Sequence, residues 1–314
     1  MRHLRIVRIG SLVPAIMLGT RVAEAQRVYP GRPALPAGDS TVVITLGTGT
    51  PVPEPERAGP STAVVVGRRV FLFDAGPGVM RRIADAGLPI DGVTAAFVTH
   101  LHSDHTLGLP DLIFTTWVMG RSAPMRIYGP RGLRRMTDHF MAAWAEDTTV
   151  RITGLERARP GGYRVDAREV RAGVVYDSGG VRVTAIPVPH GSWDQAFGFR
   201  IDTPRRSVVI SGDTRASDAL TRASSGVDVL IVEVYPETRA TPEPRPGGEL
   251  WPRYLREFHI SDVEVGRMAA AARPRLLVLS HVLLFGGTED EVLAGIRRGG
   301  YRGEVVIARD LQRF

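Results

Sequence analysis

Short apolar runs recur along the chain, most of them closed by a Gly- or Pro-containing break. Those at 41–46, 61–66, 70–73, 95–98, 125–128, 181–186, 196–201, 207–210, 229–232, 276–279 and 304–307 have the length and punctuation of strands. Gly67-Arg68-Arg69 joins the second and third as a hairpin. The runs at 95–98 and 229–232 hold no polar residue and read as buried strands. Helical patterning occupies 79–86, 109–119, a stretch of about four turns from Gly129-Pro130 to near Glu146, and 217–223. Two further helices, to residues 272 and 298, open on the capping-box patterns Ser261-Asp262-Val263-Glu264 and Thr288-Glu289-Asp290-Glu291. Residues 147–180 read as strands and loops without finer assignment. Residues 235–258 form a Pro-rich insert bearing Trp251, Tyr254 and Phe258, long enough without clear elements to suggest a functional loop. Strands precede helices in both halves, but hairpins interrupt the alternation. The expected class is α/β (α+β), with mixed sheets covered by helices.

Composition narrows this only in places. The 314 residues suffice for one large domain or two ordinary ones, and 43% hydrophobic with 23% charged residues is the usage of a globular protein. All forty basic residues are Arg, and Lys and Asn are absent, the mark of a GC-rich genome. The high pI of about 10.4 is discounted accordingly. Arg2, Arg5, Arg8 and Arg21 against Glu24 place +3 of the net +7 in the first 25 residues. No basic run interleaved with aromatics occurs, so charge makes no case for a nucleic-acid partner. Without cysteine, disulfides, thiolate ligands and cysteine nucleophiles are excluded. A basic start, an apolar stretch at 9–19 and Ala23-Glu24-Ala25 have the layout of a cleaved signal peptide over 1–25. A linker over 26–40 and one domain over 41–314 would follow, with a periplasmic or secreted location. Pro14 interrupts the short apolar stretch, and no later one is long enough to span a bilayer. A homodimer is left open.

The chemistry concentrates in Thr99-His100-Leu101-His102-Ser103-Asp104-His105, straight after a buried strand. Imidazole nitrogens and carboxylate oxygens are ligands a borderline divalent cation prefers, and this density of polar rings makes little sense in a core. His190, His259 and His281 also fall at or just beyond strand or loop ends, whereas His139 sits in mid-helix and reads as a surface or packing residue. Asp213 follows the buried run Val208-Val209-Ile210, where a lone carboxylate is costly unless paired or metal-bound.

In this order, His100, His102, Asp104, His105, His190, Asp213 and His281 resemble the dinuclear metallo-β-lactamase superfamily. Thr48-Gly49-Thr50-Pro51 and Phe73-Asp74-Ala75-Gly76-Pro77-Gly78 resemble its early motifs. The stretch 99–109, Glu233 and His259-Ile260-Ser261 look like its ribonuclease Z-like branch. The resemblance implies a four-layer αββα sandwich over residues 41–314 with two divalent metals at one edge. His100, His102 and His190 would hold one, Asp104, His105 and His281 the other, and Asp213 would bridge them. Zinc suits such a ligand set, with manganese or iron as alternatives. Asp74 would orient a ligand loop. Asp104, His259 and Glu233 are the candidate catalytic groups, the last two as a proton-transfer pair in which the carboxylate raises the imidazole.

The resembling enzymes carry a long basic arm for tRNA, commonly between the ligands matching His190 and Asp213, and here that interval is short and reads as two strands. The expectation is therefore an exported hydrolase using a metal-activated water on a small ester: a phosphodiester, sulfate ester, carboxylic ester or lactone. Trp193, Trp251, Tyr254 and Phe258 would line an apolar pocket for this small-molecule partner. The alternatives are a ribonuclease Z-type endonuclease and a non-catalytic metal- or ligand-binding module.

Overall fold

A computed structural model of the chain describes residue 38 and residues 40–314. The expected leader over 1–25 and most of the linker lie outside the described residues. The first half builds six strands of one sheet: β1 (Thr41–Gly47), β2 (Ser61–Val66), β3 (Arg69–Phe73), β4 (Val93–Phe97), β5 (Met125–Gly129) and β6 (Val165–Glu169). The second half builds β7 (Gly173–Ser178), β8 (Val181–Pro187), β9 (Phe197–Asp202), β10 (Ser207–Ile210), β11 (Val229–Val234), β12 (Leu276–Val282) and β13 (Glu304–Ile307). A last short strand, β14 (Gln312–Arg313), returns to pair with β1. The two sheets run in the orders β14-β1-β2-β3-β4-β5-β6 and β13-β12-β11-β10-β9-β8-β7.

Side-chain alternation explains the layering. Along β2 and β3, Ala63, Val65, Val70 and Leu72 face one way, and Val64, Val66, Phe71 and Phe73 the other. The first set packs under α1 (Val79–Asp85) and, beyond the four-residue α2 (Ser103–Thr106), α3 (Leu109–Val118). The second set meets the facing sheet, where Phe73, Phe97 and Tyr128 stack at 5.0 Å spacings and Phe199 closes on Phe97 at 5.6 Å. Strands buried on both faces need apolar residues at nearly every position, hence the unbroken runs in the sequence.

The outer face of the second sheet carries Val209, Leu230, Val232, Leu277 and Leu279. Helices α6 (Asp218–Ala223), α8 (Asp262–Ala272) and α9 (Glu289–Arg298) supply Leu220, Val265, Met268, Val292 and Ile296 to the same core. The result is the expected αββα sandwich. Both expected capping boxes form, on Ser261 with Glu264 and on Thr288 with Glu291.

The structure corrects three readings. The long helix after Gly129-Pro130 is two: α4 (Leu133–Ala143) and α5 (Ala145–Thr153). They part at Trp144, which leaves helical geometry (φ −104°, ψ 24°) and lays its ring on Phe114 at 5.5 Å. Within the insert, Trp251–Phe258 is a helix, α7, with a proline in its first turn, where the missing N–H costs nothing. Strand β14 has no apolar run and escapes periodicity.

In the first sheet β3, β4, β5 and β6 run parallel, and in the second β10, β11, β12 and β13 do. Parallel strands present their C-terminal ends along one edge, the place where open sheets bind ligands. The functional side chains lie on those two edges.

Candidate metal centre

Each chemistry-bearing residue reaches this edge from a strand end. Asp74 directly follows β3, and His100 stands three residues beyond β4. His102 precedes α2, which carries Asp104 and His105. From the other sheet, His190 lies beyond β8, Asp213 beyond β10, Glu233 on β11 and His281 on β12. The pairing of β11 with β12 slips between Val232 and Val234, and at this irregularity His281 adopts φ 55°. Bulges of this kind re-aim side chains, here an imidazole toward the seam between the sheets. Gly212 supplies the left-handed turn before Asp213 (φ 59°), where a Cβ would come within 2.9 Å of Phe197 O.

Two donor sets result, and a third group, Asp213, Glu233 and His259, overlaps the first. His100, His102, His190 and Asp213 form one, and Asp104, His105 and His281 the other; within each set the ligand atoms lie within 4.8 Å of one another. His100 Nε2 and His190 Nε2 approach His102 Nδ1 at 2.9 and 3.2 Å. Asp213 lies between the sets, 3.8 Å from His100 Nε2 through Oδ2 and 3.3 Å from His105 Nε2 through Oδ1. His105 Nε2, Asp213 Oδ1 and His281 Nδ1 are buried and have no hydrogen-bond partner. Unpaired polar atoms are rare in a folded interior, and converging imidazole lone pairs and a carboxylate are what a divalent cation satisfies. The donor set fits such a group.

The nitrogens turned away from the seam are fixed. His190 Nδ1–H donates to Phe258 O at 2.6 Å, and His105 Nδ1–H to Asp74 Oδ2 at 2.8 Å. Thr99 Oγ1–H donates to the same Asp74 oxygen at 2.9 Å, and so accepts from His100 Nδ1 at 3.0 Å. Asp74, itself in the left-handed region (φ 58°), thereby sets the tautomers of two imidazoles and leaves their Nε2 lone pairs toward the seam. Burial pulls His100 and His102 below the usual imidazole value and His190 to about 4, so these rings are neutral. Burial opposes ionisation of Asp213, His105 and His281 alike, but their mutual attraction wins: Asp213 lies well below the carboxylate range and the two imidazoles above their ordinary value, carrying positive charge that a bound divalent cation would replace.

His259, the residue ending α7, directs Nδ1 at Glu233 Oε2 (2.7 Å), while Glu233 Oε1 accepts from Thr214 N (2.6 Å). Burial raises Glu233 well above its ordinary value and lowers His259. The expectation of a raised imidazole is thus corrected, because desolvation, with the charge of His105, outweighs the attraction of Asp213 and Asp104.

The four aromatics meet the site differently from an apolar lining. Trp193 Nε1 lies 2.9 Å from His102 Nε2, and Tyr254 Oη lies 3.3 Å from His259 Nε2. Trp251, Tyr254 and Phe258 stack in a column at 5.0 and 4.7 Å. His139 is exposed on α4, apart from the site. Thr99, Thr214 and the Phe258 carbonyl escaped the sequence reading. Thr99 alone left a signal, as the residue directly before the His cluster.

Fold and site together define a metal-dependent hydrolase of the αββα type. A family model described as the beta-lactamase superfamily domain matches residues 69–282. Ribonuclease Z of Mycobacterium bovis (strain BCG / Pasteur 1173P2) is 33% identical over 278 residues, 86% of this chain and 96% of that one. Among solved structures, the metallo-beta-lactamase fold protein YhfI from Bacillus subtilis has TM-score 0.67 at 19% identity, over 87% of this chain and 98% of its own. Human tRNase Z, short form, has TM-score 0.63 at 23% identity with the same coverage. The chain belongs to the beta-lactamase superfamily and, within it, to the ribonuclease Z-like proteins. It is a metal-dependent hydrolase of ester bonds, and its family binds divalent metal.

Two expectations fall here: the exported hydrolase of small esters, and the small-molecule partner that went with it. The short interval between His190 and Asp213 does hold two strands, β9 and β10. Yet the alignment spans 96% of the M. bovis Ribonuclease Z, so a protein of that name carries little length beyond what is shared here. Nor does the lack of a contiguous basic run exclude a nucleic-acid partner, because a folded chain assembles its charged surface from separate segments.

Proposed function

We propose that the protein is a ribonuclease Z-type endoribonuclease that removes the 3′ trailer from tRNA precursors. One observation carries the reading: two adjoining donor sets, with Asp213 of the first 3.3 Å from His105 of the second, lie beside a buried His259–Glu233 pair, in a chain matching nearly the whole of a Ribonuclease Z. His100, His102 and His190 would hold one zinc ion and Asp104, His105 and His281 the other, with Asp213 common to both. Such a pair of ions supplies polarisation of the scissile phosphate and acidification of water. The chain's own contribution is orientation and proton handling. Asp74 and Phe258 O fix the histidine tautomers, and the two sheet edges hold the donor sets at fixed separation. His259 delivers a proton from Nε2 to the leaving 3′-oxygen, while Glu233, anchored by Thr214 N, retains Nδ1.

The test is zinc-loaded protein incubated with a tRNA precursor bearing a 3′ trailer. The expected product ends in a 3′-hydroxyl just after the discriminator nucleotide, and a chelator abolishes its formation. Binding should also weaken steeply with salt. A precursor left intact by metal-loaded, folded protein overturns the reading.

A further inference from the structure

Among the described residues, Tyr254 is the one group hydrogen-bonded to the proton-delivering nitrogen of His259, with Oη 3.3 Å from Nε2. Its ring cannot swing freely. It is stacked between Trp251 (5.0 Å, 18°) and Phe258 (4.7 Å, 26°), and Trp251 is in turn braced by the edge of Phe285 at 5.1 Å. The ring is half-buried, and its hydroxyl lies close enough to Asp213, Glu233 and Asp104 to feel their charges. On the other side of His259, Glu233 occupies Nδ1. A leaving oxygen must therefore approach Nε2, next to the Tyr254 hydroxyl.

In RNA that oxygen has a neighbour. The 2′- and 3′-oxygens of a ribose stand about one hydrogen-bond length apart, ~2.8 Å, close to the separation of His259 Nε2 and Tyr254 Oη. Two adjacent protein atoms face two adjacent sugar oxygens. Resting on the ribonuclease reading above, we propose that Tyr254 reads the 2′-hydroxyl of the nucleotide whose 3′-oxygen leaves, and so makes the site selective for RNA over DNA. With a 2′-hydroxyl present, Tyr254 exchanges its bond to Nε2 for one to the sugar, freeing Nε2 for the 3′-oxygen. A 2′-deoxy sugar offers no such exchange, and Tyr254 stays on Nε2 in competition with the leaving oxygen. Burial pushes the phenol up to about 12, so it keeps its proton and can both donate and accept, matching a hydroxyl that does the same. The 2′-hydroxyl is the group by which proteins tell RNA from DNA.

The experiment compares two tRNA precursors, all-ribo and 2′-deoxy at the discriminator nucleotide alone, with wild-type protein and Tyr254→Phe. Wild type should cut the ribo substrate about 3- to 10-fold more efficiently (kcat/KM), the effect of one neutral hydrogen bond. Tyr254→Phe keeps the ring column and should cut both substrates equally, because no hydroxyl remains either to read the sugar or to occupy Nε2. A binding readout runs beside it: fluorescence anisotropy of the tRNA product ending in a ribo or a 2′-deoxy nucleotide. Wild type should prefer the ribo end by a similar factor, and the variant should not. Equal cleavage of both substrates by wild type overturns the assignment without recourse to the variant, as does discrimination that survives in Tyr254→Phe. In both outcomes the ribonuclease reading stands. If wild type leaves the ribo precursor intact, that reading falls and this one with it.

Discussion

Replacing Asp74 by Asn isolates what its charge does for the metal donors. Oδ1 accepts from Thr99 N at 2.8 Å, and Oδ2 accepts from Thr99 Oγ1 at 2.9 Å and His105 Nδ1 at 2.8 Å. An amide offers one oxygen and one NH2. If the oxygen stays on Thr99 N, the NH2 faces His105, which must turn a lone pair to it and carry its own proton on Nε2. That nitrogen faces Asp104 at 3.4 Å and Asp213 at 3.3 Å, and once protonated it cannot ligate. If the amide flips, Thr99 N is left against an NH2, a buried mismatch worth about 1–3 kcal/mol. Either way the second donor set should weaken by about 10- to 100-fold, the usual effect of losing such a support, or ~1.4–2.8 kcal/mol. Asn tolerates the left-handed backbone at this position (φ 58°), so the loop itself is spared. The assay is zinc titration of metal-free protein against a chromogenic chelator. One equivalent should weaken by that factor and the other, held by His100, His102 and His190, by less. A folded Asp74→Asn variant that binds both equivalents as wild type does would refute the tautomer argument.

Three other perturbations probe separate links. Glu233→Gln should leave zinc stoichiometry intact and lower single-turnover cleavage by about 10²–10⁴-fold, the range for a lost general acid; undiminished cleavage counts against the proton pair. Gly191→Ala puts a methyl 2.1–2.3 Å from the Phe258 ring at φ 53°, and should cost about 1–3 kcal/mol in thermal unfolding while loosening the carbonyl that holds His190; an unchanged melting temperature contradicts this. Asp262 is fully buried, its Oδ2 accepts no hydrogen bond, and burial pushes its carboxyl up against the opposing pull of the Glu237 and Val263 N–H groups on Oδ1 and of the Arg298 guanidinium at 3.7 Å. Because its folded pKa lies above the unfolded one, its contribution to stability is lost as pH rises beyond about 3.9. Asp262→Asn removes that loss, so the variant's melting temperature should gain on wild type as pH rises above about 4; a constant difference argues otherwise.

The strands were legible because burial on both faces demands unbroken apolar residues, as at Val93–Phe97 and Val229–Val234, whose patterns are almost wholly buried. The metal donors were legible because seven polar residues at strand ends have no other economical explanation. Helix α7 was hidden by the prolines before it, although Pro252 is itself a helix-start signal. The roles of Thr99 and Tyr254 were invisible for another reason. They depend on which atoms meet across gaps of up to 25 residues, and a linear pattern carries no such angles. The substrate was misjudged because the absence of one arm was weighed above the match of the whole chain.

Each donor set draws on both sheets. His100 and His102 come from the first and His190 and Asp213 from the second; Asp104 and His105 come from the first and His281 from the second. A bound cation is therefore also a cross-link between the two halves of the chain, joining residues up to 177 positions apart. Ion occupancy and cohesion of the sandwich become one thermodynamic quantity. At free metal a thousandfold above its dissociation constant, a single site adds ~4 kcal/mol to the folded state. Metal starvation would then first loosen the seam between the sheets, and the melting temperature of the whole domain would serve as a gauge of its metal supply.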